Sequence, residues 1–91
     1  MRSEMITLID KLQSVGIPHE VVRQDLFDSI QVCYPSREHC ICDAICHQYS
    51  YGGKEGLLEI MGLADTEDGV EGWLTADDVF ARMYTDYVGN H

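Results

Sequence analysis

Basic residues are scarce in this 91-residue chain: six Lys and Arg stand against sixteen Asp and Glu, for a formal net charge of −10. Between Glu55 and Asp78 there are eight acidic residues and no basic one. A protein that holds nucleic acid or an anionic membrane surface needs cations to displace counterions, so this composition argues against direct binding of either. Long apolar runs are missing too; none approaches the roughly 20 residues that cross a bilayer. The start, Met1-Arg2-Ser3-Glu4-Met5, lacks the apolar stretch and small-residue cleavage site of a secretory signal. We therefore expect a cytoplasmic protein whose four cysteines are reduced thiols.

Recognisable catalytic and cofactor motifs are also absent. Tyr51-Gly52-Gly53-Lys54-Glu55-Gly56 has the glycines of a phosphate-binding turn without P-loop spacing, and reads as a tight turn. Asp65-Thr66-Glu67-Asp68-Gly69-Val70-Glu71 lacks the alternating ligands of an EF-hand and reads as a solvated acidic turn. We expect no bound cofactor and no enzymatic activity.

The chain does have an ordinary globular balance, 45% hydrophobic and 24% charged residues, in keeping with one ordered domain over residues 1–91. Met5, Leu8, Ile9, Leu12 and Val15 recur at helical spacing, and Gly16 then Pro18 end that helix. His19–Gln24, Ser29–Tyr34 and His39–His47 read as β-strands, with turns at Asp25–Asp28 and Pro35–Glu38. Placing Val32 opposite Cys42 puts Ile30, Val32, Tyr34, Cys40, Cys42, Ala44 and Cys46 on one core face. The other face keeps Ile41 and Ile45 near solvent, a possible contact surface or homodimer face. Lys54–Met61 reads as a short helix with Leu57, Leu58 and Met61 inward, and Ala64–Gly72 as a loop. Thr75 caps a last helix, with Asp78 completing a capping box and Leu74 and Val79 a hydrophobic staple. The expectation is an α+β fold of order α-β-β-β-α-α, a three-stranded antiparallel meander with helices on one face.

Two constellations merit a chemical reading. Cys40, Cys42 and Cys46, with His39 and His47 nearby, raise a structural zinc module, although the strand-like spacing of two is unlike zinc knuckles. Buried thiols in a core are the simpler reading. A cysteine nucleophile would need Cys46 with His39, or Cys33 with His47, and neither pair has a third member. The acidic residues Glu55, Glu59, Asp65, Glu67, Asp68, Glu71, Asp77 and Asp78 form the second constellation. They serve solubility, or they present a nucleic-acid-like surface to a basic protein. Trp73, beside them, is either a core anchor or an interface residue.

The stretch from Cys46 to Gly62, with Gly72-Trp73-Leu74-Thr75-Ala76-Asp77-Asp78-Val79-Phe80, resembles small accessory proteins encoded by phages and integrated elements of gut bacteria. The resemblance covers about the C-terminal half and carries no functional residues across. It implies an accessory protein of the host cytoplasm. Inhibitors of host defence nucleases, anti-CRISPR proteins among them, are one group of such small acidic proteins.

Overall fold

The computed structural model describes residues 4–24, 29–46, 57–64 and 66–90. Helix α1 (Glu4–Val15) is followed by β1 (Glu20–Gln24), β2 (Ser29–Pro35), β3 (Cys40–Cys46), β4 (Leu58–Met61), β5 (Val70–Leu74) and helix α2 (Ala76–Asn90). The strands form one antiparallel sheet in sequence order. The α+β class, with one helix before the strands and one after them in the chain, agrees with the sequence. Three strands become five, and the helix expected over Lys54–Met61 is instead strand β4 from Leu58 onward. Leu58 and Ile60 are buried while Glu59 and Met61 turn away, a period of two rather than 3.6. Met61, expected inward, is exposed. The loop expected over Ala64–Gly72 shrinks to a turn ending at Gly69, because Val70 pairs with Met61. The turns read at Asp25–Asp28 and Tyr51–Gly56 lie outside the described residues.

Both helices contribute to one core with the sheet. Met5, Leu8 and Leu12 of α1 and Val79 and Met83 of α2 join Val32, Cys42, Ala44, Leu58 and Ile60. Gly16 ends α1 at φ +81, donating to the Leu12 carbonyl alongside Ile17, the left-handed stop anticipated from Gly16 and Pro18. The start of α2 is closed twice. The Thr75 N–H donates to the Asp78 carboxylate at 3.1 Å, and the Asp78 N–H returns to the Thr75 hydroxyl at 3.3 Å. Glu4, at the first turn of α1, accepts from the Ala76 N–H at 2.8 Å, so one helix caps the other. Leu74 and Val79, the expected staple, are both buried. Because the capping box leaves the Glu4 bond in place, Thr75→Ala should cost only about 1 kcal/mol in urea unfolding.

Tyr34 ties the sheet to α2. Its ring is buried and its hydroxyl donates to Asp86 at 2.8 Å. Arg82 ties α2 to the β4–β5 connection, donating to the Leu63 carbonyl at 2.8 Å and pairing with Glu71 at 3.0 Å. Leu63 itself has φ 55, a left-handed conformation that the captured carbonyl helps to hold.

Candidate functional site

Pairing in register puts directly opposed residues on one side of the sheet. Val21, Val32, Ala44, Ile60 and Glu71 make a row on the helix-covered side. The neighbouring rows point the other way. One runs Val22, Gln31, Ile45, Glu59, and the next Glu20, Cys33, Asp43, Met61, Val70. Neither described helix packs on this second side, which we term the open face.

The observed register sets Val32 against Ala44 rather than Cys42, a displacement of two residues. A shift of two leaves every side chain on its expected side, which is why Ile41 and Ile45 remain on the open face. The exception is Cys40. The ladder shifts between Tyr34 and Pro35, and Cys40 comes opposite Pro35 with Ile41 as the additional residue. Cys40 therefore leaves the core side expected for it and is exposed. Cys42 and Cys46 stay on the helix side, so the three thiols of the zinc reading do not converge. Among the described residues no three His, Cys, Asp or Glu side chains are grouped to hold a metal ion. His47 lies outside the described residues.

Apolar groups and carboxylates share the open face. Ile41 is 51% exposed and Met61 58%. Asp43 accepts from Gln31 Nε2 at 2.7 Å across the strands. The two rows contain no Lys or Arg. Three of the described cations lie elsewhere: Arg23 is opposite Ile30 on the helix side, Lys11 pairs with Asp77 at 2.9 Å, and Arg82 pairs with Glu71. Arg37 sits in the β2–β3 turn beside the end of the second row, its backbone N–H donating to the Glu20 carboxylate.

At the sheet edge, the β4–β5 ladder shifts between Leu58 and Ile60, leaving both Gly72 and Trp73 opposite Glu59. Trp73 adopts φ 61 and is 60% exposed, so it is not a core anchor. A bulky residue in left-handed backbone costs roughly 1–2 kcal/mol, and here the cost accompanies an indole held out to water.

The described members of the acidic set singled out from the sequence are spread over several surfaces. Glu55 and Asp65 are outside the described residues. Glu59 is half-buried on the open face, while Glu71 turns to the helix side and Arg82. Glu67 and Asp68 lie in the β4–β5 turn, where the Asp68 carboxylate accepts from the Val70 N–H and faces the Thr66 hydroxyl at 3.0 Å. The hydroxyl and the N–H hold Asp68 below the usual carboxylate range. Asp77 pairs with Lys11, and Asp78 is engaged in the cap, where the Thr75 N–H and hydroxyl likewise lower its pKa.

Between the helices, Thr7, Asp10, Lys11, Ser14, Val15 and Phe80 line an open groove. Its cation is already committed: Lys11 Nζ lies 5.6 Å from the Phe80 ring centre while bonded to Asp77. No described helix is long and apolar enough to cross a membrane. No family model, curated protein or solved structure matches the chain.

Proposed function

We propose that this chain is a small acidic protein-binding module whose partner is a basic protein, engaged through the open face of the sheet. The observation that carries the reading is the segregation of charge. The open face combines exposed Ile41 and Met61 with Asp43 and Glu59 and has no Lys or Arg in its two rows. Such a face fits an apolar patch rimmed by cations, with the apolar contacts supplying affinity and the charges selecting the partner. Trp73, projecting from the adjoining edge strand, supplies the kind of large aromatic anchor that dominates interface energetics. The resemblance to phage accessory proteins makes a host nucleic-acid-binding protein the partner class we favour, with the module acting as an inhibitor that occupies its basic groove.

The test uses tagged protein as bait in bacterial lysate, washed at low and high salt, with four baits: wild type, Ile41→Lys/Met61→Lys, Trp73→Ala, and the helix-side control Asp77→Lys. We expect a basic protein retained by wild type and by Asp77→Lys, released by high salt. The open-face double variant and Trp73→Ala should each lose at least about tenfold in retention, the loss of about 1.4 kcal/mol expected of an interface anchor. Equal retention by all four baits would sink the reading. So would a salt-resistant dimer of the chain in light scattering that the double variant dissolves, since the face would then belong to a second copy.

A further inference from the structure

Cys33 and Cys40 occupy adjacent strands and the same open face. Cys33 opposes Asp43 and Cys40 opposes Pro35, two residues along β2, so the shift in the ladder makes the cysteines diagonal neighbours. The Cys40 thiol acts on Cys33 across this diagonal, as one of the groups that raise its pKa. Both are free thiols, Cys40 exposed and Cys33 only 3% exposed. Cys42 and Cys46 belong to the helix-covered side and cannot reach either of them without turning the strand over.

We propose that Cys33 and Cys40 are a dithiol site that closes to an intrachain disulfide when it meets a small-molecule disulfide of the glutathione type. Exposure sets the order of events. The Cys40 thiolate attacks one sulfur of the small disulfide, that S–S bond breaks, and one small thiolate leaves. The Cys33 thiol then gives up its proton to that thiolate, its sulfur attacks Cys40 Sγ, and the second small thiolate departs and is protonated by water. The protein thiols lose two electrons and two protons, and the small disulfide becomes two thiols. Cys33 does not compete for the first step. Burial, then the neighbouring Cys40 thiol and the Asp43 and Glu20 carboxylates, push it up to about 11. The closed disulfide would pin β2 to β3 beside Ile41.

The experiment takes the reduced full-length protein, adds excess oxidised glutathione, quenches with N-ethylmaleimide under denaturing conditions, and reads intact mass and peptide map. Two of the four thiols should escape alkylation, no glutathione should remain attached, and the Cys33 and Cys40 peptides should be linked. Cys33→Ser should stop with one glutathione on Cys40, and Cys40→Ser should form neither the adduct nor the link. A wild-type protein that keeps glutathione on Cys40 without closing, links through Cys42 or Cys46, or fails to react would overturn the proposal. Should Cys33→Ser not fold, the wild-type map decides alone.

Discussion

Gly62→Ala should destabilise the fold by about 3 kcal/mol or more, while Gly69→Ala, in the same β4–β5 connection, should cost only about 1 kcal/mol. Both glycines have positive φ, +90 at Gly62 and +77 at Gly69, so each substitution carries the strain of a side chain in left-handed backbone. They differ in surroundings. A Cβ at Gly69 meets nothing, whereas one at Gly62 would overlap the Ile41 carbonyl oxygen. That oxygen belongs to the backbone of β3 at its bulge, so no rotamer change relieves the clash. Either β3 moves away from β4 or the Gly62 N–H gives up its 2.8 Å bond to the Gly69 carbonyl. Urea unfolding of the two variants measures the difference directly. If they fall within about 0.5 kcal/mol of each other, a margin typical of a neutral surface change, the close approach of β3 to Gly62 is not what holds this turn.

The second large effect is alkaline. Burial, and secondarily the Asp43 charge, push the Cys42 thiol from 9.0 up to about 12, and burial with the Asp86 bond raises Tyr34 as well. A group whose folded pKa lies above its unfolded value contributes stability that is complete below the unfolded value. That contribution fades as pH rises towards the folded one. The window for Cys42 therefore opens near pH 9 and closes near pH 12. Within it, this thiol alone should remove about 1.4 kcal/mol per pH unit, or about 3 kcal/mol by pH 11. Cys33, pushed to about 11, adds to the same decline, and Tyr34 joins above its ordinary value of 10.0. Denaturation curves under reductant from pH 7 to 11 should be flat until about pH 9 and then fall, and Cys42→Ala should fall less steeply. Parallel curves for the two proteins would mean that this thiol ionises as readily folded as unfolded.

Much of the fold was legible before any coordinates. Capping and stop residues gave the helices, because a Thr or Gly at a helix end acts through bonds to its immediate neighbours. The sides of β2 and β3 were legible even with the pairing displaced by two, since side chains alternate with period two and an even displacement leaves them in place. Cys40 escaped because a bulge breaks that parity, and nothing local to Cys40 announces one. Strands β4 and β5 escaped for a different reason. Leu57, Leu58, Ile60 and Met61 suit a helix or a strand equally well in so short a run, and only pairing with Asp43, Ala44 and Ile45 decides between them. Gly72 read as loop because its strand is bulged there, and Trp73 beside it faces water rather than marking a core strand.

The candidate site was half visible. Ile41, Ile45 and Trp73 stood out, whereas Met61 was hidden by its assignment to a helix. For the described part of the acidic run, nearness along the chain is not nearness in space. Glu71, Asp77 and Asp78 are turned to Arg82, Lys11 and Thr75 by the elements that carry them.

The bond from Glu4 to Ala76 joins residues 72 positions apart, and it sets a timetable for synthesis. The strands of the meander pair with their neighbours in the chain, so each hairpin can form soon after it leaves the ribosome. Helix α1 emerges before the strands with Met5, Leu8 and Leu12 uncovered, and the helix that helps to shield them follows all five strands. Until α2 arrives the nascent chain therefore carries an apolar stripe, a natural landing place for a chaperone.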